Sequence, residues 1–484
     1  MDSSICPIDR EHHEQISTLL KPPSPHQVQE YFEEILETRT CSSLMIRQDG
    51  TFGKGLYANV EFGEDELVLK DQMLVGAQHT LNKVDCLVCS YCFRFIGSVE
   101  LQIGRKLYFQ NLMECATDSS DGETHNHIED NESGQCSSSN SKEKIPLPME
   151  LIESLRNGDV QLPYSKQFSL PSAVPCSGQC EEAYYCSKLC AEADWAEFHS
   201  LLCPGDRSGP ECREALLKFI EHANGTNDVF YLAAKAISST ILRYRKIKKA
   251  RFQGQEKNKE LIGSANTFSI LSEAWKPISM GYKKRWWDCV ALPGDVDDEA
   301  SFRGQMRDLA FESLQLLKEA IFDEECAPLF SLEIYGHIIG MFELNNLDLV
   351  VASPVEDYFL YIEDLQEEQK EHAEKATRPY LDALGDEYSI CCDGSAFFPL
   401  HSCLNHSCDP NAKAFKRDED RDGQAIISAI RPIQKGEEIT ISYIDEDLPW
   451  KERQALLADY GFKCKCSKCL EEEGEELLPK KKKK

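Results

Sequence analysis

Cysteine spacing constrains this chain more than any other feature. Twenty-two cysteines are spread over 484 residues, and many fall in short clusters such as Cys89-x-x-Cys92, Cys186-x-x-x-Cys190 and Cys464-x-Cys466-x-x-Cys469. The N-terminus, Met1-Asp2-Ser3-Ser4, lacks a signal-peptide pattern, and no apolar run approaches the ~18–20 residues of a membrane span. The chain is therefore expected to be soluble and intracellular, with its thiols reduced. Clusters of this kind then read as metal sites rather than disulfides. His199 and Cys203 are four apart, which puts both on one helical face, pointing at one ion.

A second constraint is the stretch Asn405-His406-Ser407-Cys408-Asp409-Pro410-Asn411. Its short polar residues and its Asp-Pro pair stop a helix or central strand from running through. It lies between the apolar run Ala396–Leu400 and the β-rich run Ala425–Ile430. A polar loop held between buried segments is either a site or a costly arrangement. The net charge of −30 argues against broad binding to nucleic acid and suits basic partners.

Patterning divides the rest. A helix is expected from Gln27 to Leu36, behind the breaker Lys21-Pro22-Pro23-Ser24-Pro25, and short β-segments at Leu44–Arg47, Gly53–Ala58 and Glu66–Leu69. The G-x-G at Gly53 and Gly55 is usually a turn, and its functional reading is close approach to a ligand. Asp118–Lys144, with His125 and His127, is too polar for a core and is expected to be a disordered loop. Residues 212–335 read as mainly helical, from Glu214–His222, Val229–Tyr244 and Phe311–Phe322. Strand-like segments are expected from Ile338–Asn345 onward, and a helix near Trp450–Tyr460. The basic run Arg243–Arg251 reads first as a solvated helix end and second as a contact for nucleic acid or acidic chromatin patches. Pro479 and Lys480–Lys484 form a candidate nuclear-import signal.

The Asn405–Asn411 stretch resembles the NHSCDPN signature of SET-domain lysine methyltransferases. Tyr185-Cys186-Ser187-Lys188-Leu189-Cys190 with Trp195, His199 and Cys203 resembles the second half of a MYND zinc finger. Gly53–Leu56, the Asn405–Asn411 loop, Gly436-Glu437-Glu438 with Tyr443, and the Cys464–Cys469 cluster follow the order of a SET domain and its post-SET zinc site. A finger inserted after the first block is the layout of the SET and MYND (SMYD) family. Ending soon after the last cysteines, the chain looks most like the plant trithorax-related histone-lysine methyltransferases, with the animal member lacking the C-terminal domain as the alternative.

This resemblance implies an α+β fold: a SET-domain β-fold of small sheets, split by an inserted MYND finger and a helical insert, with a post-SET zinc site. The expected divisions are 1–43, an N-terminal helical segment; 44–88, the first part of the SET domain; 89–203, the finger with a disordered insertion at about 117–144; 204–335, the helical insert; 336–445, the core SET domain; 446–470, the post-SET region; and 471–484, a charged tail. Interleaving, as in MYND fingers, assigns one zinc to Cys89, Cys92, Cys186 and Cys190, with Cys86 an alternative partner for Cys89. A second goes to Cys176, Cys180, His199 and Cys203, although Cys176 and Cys180 are one residue further apart than usual. The family pattern completes a third site with Cys408, Cys464, Cys466 and Cys469.

The implied cofactor is S-adenosylmethionine, contacted by Lys54, Gly55, Leu56, Asn345, Asn405, His406, Tyr443 and Phe462, with about three structural zincs. Asn405 and His406 would hold the amino-acid and adenine ends through backbone and side chains, and Phe462 would stack on the adenine. Tyr443 is the expected catalytic residue, with Tyr460 lining the lysine channel. The implied activity is methylation of histone H3 in a nucleosome, in the nucleus and compatible with a cytoplasmic pool. Transcription factors are candidate partners of the finger, and neither a membrane nor strong sequence-specific DNA binding is expected. The competing readings are a non-histone substrate and an adaptor whose SET fold is inactive; intact Asn405, His406 and Tyr443 argue against the second.

Overall fold

The computed structural model describes residues 6–49, 53–118, 147–206, 209–252, 264–281, 283–294, 296–389, 391–417 and 419–476. The Asp118–Lys144 stretch, apart from Asp118, and the Lys480–Lys484 tail lie outside them. Among the described residues the fold is α+β, with small sheets, many helices and no closed barrel.

Strands β1 (Leu44–Asp49) and β2 (Gly53–Ala58) pair antiparallel, Ile46 opposite Leu56. The period-two alternation of strands turns Leu44 and Ile46 into the core and Arg47 outward, over the Tyr57 ring. β3 (Leu67–Asp71) is followed by β4 (Val75–Gln78), and β5 (Val174–Pro175) pairs with β6 (Tyr184–Tyr185) in the finger. β7 (Asn346–Val351) and β8 (Cys392–Phe397) complete a sheet ordered β4–β8–β7. β9 (Asn405–His406) is followed by β10 (Ala412–Ala414) and β11 (Ala425–Ala429), which join β3 in the order β10–β11–β3. β12 (Thr440–Ile441) runs parallel to β9, Thr440 opposite Asn405.

The first forty residues hold three helices, Pro7–Glu11, His13–Leu20 and Pro25–Thr38, rather than the single one expected. The last begins two residues earlier than Gln27. Ser24 and Gln27 form a reciprocal capping box there, and Pro25 occupies the first turn, where its missing N–H costs nothing. Phe32 and Val28 pack on the β1–β2 side. Ile16 and Leu19 instead join the helical core, where buried Trp275 donates its indole N–H to the Leu19 carbonyl at 2.9 Å.

That helical core is built on Val229–Phe252, flanked by Pro210–Thr226, Ser264–Ser279 and Glu299–Ile321. Trp275, Trp286 and Trp287 are all buried in it. The basic run sits at the end of Val229–Phe252 and meets acids of the same chain: Arg245 with Asp323, Lys248 with Glu325, and Arg251 with Glu273. Three of its cations are thus neutralised locally, which favours the solvated helix end over a nucleic-acid contact.

Two expectations are corrected here. The run Ile338–Asn345 is not strand: Leu332–Asn345 is a helix, and the strand begins only at Asn346. The stretch between Cys92 and Cys176 is also more than an insertion in the finger. It contains the helices Val99–Asp118 and Met149–Asn157, whose Ile103, Leu107, Ile152 and Leu155 share a core with Tyr358 and Ile362 of Pro354–Glu363 and with Ala373 and Tyr380 of Glu367–Leu384. Each such buried aliphatic side chain is worth about 1.5–3 kcal/mol, so this unit is fastened to the late part of the chain.

Candidate active site and metal centres

The Asn405–Asn411 loop is clamped on two sides. On one side β9 pairs with β12, and the Ser407 N–H donates to the Ile441 carbonyl at 2.9 Å. On the other, residues 437–439 continue onto β2: the Ala58 N–H donates to Glu437 and the Ile439 N–H to Leu56. Asn411, 1% exposed, locks the crossing. Its amide donates to the Glu437 carboxylate and the Glu438 carbonyl, and its oxygen accepts from the Thr440 N–H. The segment carrying Tyr443 is thus held between two strands that are far apart in sequence.

Asn405 donates its amide to the Lys54 carbonyl at 3.3 Å and the Glu438 carboxylate at 2.7 Å. A Cβ on Gly55 would come within 2.7 Å of that carboxylate and 3.3 Å of the Asn405 amide, so only glycine lets these groups meet. The Asn405 side-chain oxygen accepts from no group among the described residues, leaving it free for a ligand's ammonium. Lys54 points its own ammonium at the Met280 carbonyl, 2.8 Å away. Leu56 is fully buried in the core, so only its backbone faces the site. Asn345 closes its helix, donating to Met341 one turn back at 2.8 Å.

Tyr443 donates its hydroxyl to the Leu404 carbonyl, one residue before Asn405. Its ring lies 5.3 Å from those of His406 and Tyr460, and 6.3 Å from Phe462. Burial pushes the Tyr443 phenol well up, and the nearby Tyr460 adds to this, so it stays a neutral hydroxyl. Both ring nitrogens of His406 are engaged within the protein. Nδ1 accepts the Tyr443 backbone N–H at 3.0 Å, and Nε2 lies 3.2 Å from the Cys408 sulfur. Burial, with help from the Arg453 charge, pulls His406 down to about 4. The ring is therefore neutral, its proton on Nε2 donated to sulfur. What His406 can offer a cofactor is its backbone and ring face.

Three tetrads bring their ligand atoms within 4.8 Å of one another: Cys89, Cys92, Cys186, Cys190; Cys176, Cys180, His199, Cys203; and Cys408, Cys464, Cys466, Cys469. Four sulfurs at ~2.3 Å from a tetrahedral zinc would lie about 3.8 Å apart. The sulfurs here approach to 3.6 Å for Cys92 and Cys186, 3.7 Å for Cys176 and Cys203, and 3.5 Å for Cys408 and Cys469. The donor sets fit zinc, and four protein ligands make each site closed and structural. Cys86 stays outside, with its thiol on Asn82. His199 belongs to a wide π-turn, Trp195–His199, and Cys203 lies just past the end of Ser200–Leu202. The pair thus converges without forming one regular helical face.

Three supports of this site carry no signal in the sequence. Asp71, fully buried, accepts the Leu400 and His401 N–H groups at 2.8 and 2.9 Å and pairs with Arg39, fixing the turn that ends in Leu404. Glu438 holds Asn405. Arg453, 1% exposed, lies 3.7 Å from the Cys469 sulfur and 2.7 Å from Glu472, offsetting thiolate charge at the third tetrad. An alternating pattern hides Asp71 at a strand end, and Arg453 looks like any helix-surface arginine.

Comparison with known proteins agrees with this geometry. Residues 343–444 match the SET domain family and residues 167–203 the MYND finger family. The histone-lysine N-methyltransferase ATXR2 of Arabidopsis thaliana is 61% identical over 461 residues, covering 94% of this chain and 96% of that protein. The protein-lysine N-trimethyltransferase SMYD5 of Mus musculus is 23% identical over 446 residues, covering 90% of this chain and 88% of its own. A short stretch of 77 residues, 16% of this chain and 23% of the relative, is 36% identical to the histone-lysine N-methyltransferase ATXR4 of Arabidopsis thaliana. No helix among the described residues is long and apolar enough to cross a membrane. The chain belongs to the family of S-adenosylmethionine-dependent protein-lysine methyltransferases that combine a SET domain with a MYND finger.

Proposed function

We propose that this chain methylates lysine on histone H3 within chromatin, and that Tyr443 is its catalytic residue. The observation that carries the reading is the placement of the Tyr443 hydroxyl on the Leu404 carbonyl, beside the free oxygen of Asn405 and among the rings of His406, Tyr460 and Phe462. The high identity to a histone-lysine N-methyltransferase supports the substrate class. A nuclear location, a post-SET role for the third tetrad and a partner-binding role for the finger belong to the same reading.

S-adenosylmethionine, when bound, supplies a methyl group activated by a sulfonium. Asn405 would accept the ammonium of its amino-acid part, with Lys54, Gly55, Leu56 and Asn345 around it. The His406 backbone and the Phe462 ring would hold the adenine end. The protein's own work is positioning and proton control. A lysine side chain, with an ordinary pKa of ~10.4, must arrive neutral. A channel lined by Tyr443 and Tyr460, whose rings pack together with centroids 5.3 Å apart, would strip its water and disfavour the ammonium. The neutral Tyr443 hydroxyl orients the amine without adding a negative charge that would hold the proton on.

The test is transfer from labelled S-adenosylmethionine to nucleosomes or core histones, followed by mass spectrometry. Tyr443→Phe should lower turnover by about 100-fold or more, the scale of losing one oriented hydrogen-bonding group at the reacting centre, while calorimetric cofactor binding persists. Absence of cofactor binding by the native chain would sink the enzyme reading in favour of an adaptor. A non-histone substrate is the second reading, favoured by the similarity to SMYD5, and labelling of other proteins in preference to histones would select it.

A further inference from the structure

Between the finger and the β4–β8–β7 sheet lies a cavity of about 220 Å³, closed on a third side by the Val229–Phe252 helix. It is separate from the Tyr443 site: none of the cofactor-contacting or catalytic candidates lines it. Its wall carries charge that the protein leaves unsatisfied. Lys235 is 7% exposed, and of its three ammonium protons one is donated, to the Gly76 carbonyl at 2.7 Å. The face of Phe198 lies 4.9 Å away, and the Asp194 carboxylate acts on Lys235 electrostatically. Asp194 is 3% exposed; one oxygen accepts from Tyr185 at 2.7 Å, and the other has no partner. Arg105 uses one terminal nitrogen on the Lys83 carbonyl, while its Nε is buried and unpartnered. Lys83 lies over the Tyr231 ring at 5.2 Å. Among the described residues none of Lys83, Arg105 and Lys235 has an acidic partner within salt-bridge distance.

This is unusual in a chain with 83 acidic residues against 53 lysines and arginines, where the basic run pairs with neighbouring acids. A buried ammonium without enough acceptors and a buried carboxylate oxygen without a donor each leave a desolvation cost unmet. Both face one space. Three cations, Lys83, Arg105 and Lys235, line the cavity with the buried Asp194; the other two lining carboxylates, Glu181 and Glu182, are exposed to solvent. We propose that this cavity binds a small dianion bearing its own hydrogen-bond donor, a hydroxy-dicarboxylate or hydrogen phosphate. The acid groups take Lys83, Arg105 and Lys235, and the donor takes the free Asp194 oxygen. The ligand then ties the finger (Asp194) to the early SET segment (Lys83) and the helical insert (Lys235), so its binding stabilises the junction of three parts of the chain.

The experiment is calorimetric titration of the zinc-loaded full chain with sodium phosphate, L-malate and succinate at constant ionic strength. Saturable binding of phosphate or of malate, one per chain, is expected, and which of the two binds identifies the source of the acid group. Succinate matches malate but lacks the hydroxyl, so it should bind about tenfold more weakly, the scale of one unmet buried acceptor. Lys235→Met and Lys83→Met should each remove binding while zinc content stays at the wild-type level. Lys83 is nearer the surface and keeps the test decisive if the Lys235 variant fails to fold. No saturable heat with any of the three anions would overturn the proposal. So would succinate binding equal to malate and phosphate, or undiminished binding by the lysine variants.

Discussion

The finger and the C-terminal region solve the same coordination problem with opposite consequences. Each uses tetrads whose donors fit zinc, all of them cysteine but for His199, and the two tetrads of the finger draw every ligand from within the finger. Their ligands come from residues 89–92, 176–180, 186–190 and 199–203, and their packing partners are finger residues such as Ile96, Ala183 and Tyr185. The third tetrad draws one ligand, Cys408, from the loop that also holds Asn405, and the other three from beyond Tyr443. From its sulfur, His406 carries a two-bond path to the Tyr443 backbone. The four cysteines Cys89, Cys92, Cys186 and Cys190 are a staple within the finger, while the same donor set at the third tetrad ties the Asn405–Asn411 loop to the segment beyond Tyr443. The difference lies in where the fourth ligand comes from.

The largest effects should break or establish this distinction. Cys408→Ser is expected to lose one of three zincs and, with it, methyl transfer, because Tyr443, Tyr460 and Phe462 pack with that tetrad. Cys190→Ser should also lose one zinc and lower the melting temperature, with turnover per folded molecule near wild type. Zinc quantitation beside steady-state kinetics on both variants decides it. Equal losses of turnover would end the contrast.

A finer probe is the histidine between the two functions. His406→Ala leaves the Tyr443 N–H without its acceptor but keeps all four cysteines. Turnover is expected to fall about 10–100-fold through misplacement of Tyr443, with zinc content intact. Concurrent zinc loss would mean that the bond to Cys408 matters more than the bond to Tyr443.

Asn411 tests the clamp rather than the metal. Asn411→Ala leaves the half-buried Thr440 N–H and the Glu438 carbonyl without their partner, while Glu437 keeps Arg431 and the Gln434 N–H, at a cost of about 2–3 kcal/mol. Thermal unfolding should show the loss, and it should be greater than that for Asp409→Ala in the same loop, since Asp409 is exposed.

How much of this was legible in the sequence depends on what each residue needs around it. Zinc ligands betray themselves because short spacings are the easiest way to bring sulfurs together, so the clusters are readable, whereas Cys408, 56 residues before Cys464, and the choice of Cys92 over Cys86 come only from the family resemblance. The Asn405–Asn411 loop was readable because its polarity contrasts with its flanks. The Leu332–Asn345 helix was not. Ile334, Tyr335, Ile338, Ile339, Met341 and Phe342 are all at most 1% exposed, so no polar face marks a helical period and the run passes for a buried strand. Gly340 added to the misreading, though its role is packing: a Cβ there would lie 2.0 Å from the Lys284 carbonyl. The helices at 99–118 and 149–157 were hidden differently. They lie either side of a polar stretch inside the finger's sequence, but their apolar faces answer to residues 354–388, which no local pattern reveals.

The smallest predicted effect lies in the β4–β8–β7 sheet, outside both regions compared, where perturbation should change stability and leave turnover alone. His79, directly after β4, faces Asp393 of β8 at 3.5 Å and Ser395 at 2.9 Å. The Asp393 hydrogen bond raises His79 above its ordinary 6.5, against burial and with further help from Asp228 and Asp348. The same bond lowers Asp393 below 3.8. A raised histidine contributes stability that is complete below 6.5 and lost as pH climbs through its folded value. A lowered carboxylate contributes above 3.8 and loses this as pH falls through its folded value. The pair therefore stabilises the β4–β8 pairing most between these limits. Side-chain exposures of 35% and 48% screen it, so its worth is at most about 0.5–1 kcal/mol. His79→Gln should be less stable than wild type in urea at pH 5.5, and the gap should narrow by pH 8.5. A gap that widened with pH would show that the ring acts there as a neutral hydrogen-bonding group and not as a charge. A change in turnover would show that this sheet reaches Tyr443 after all.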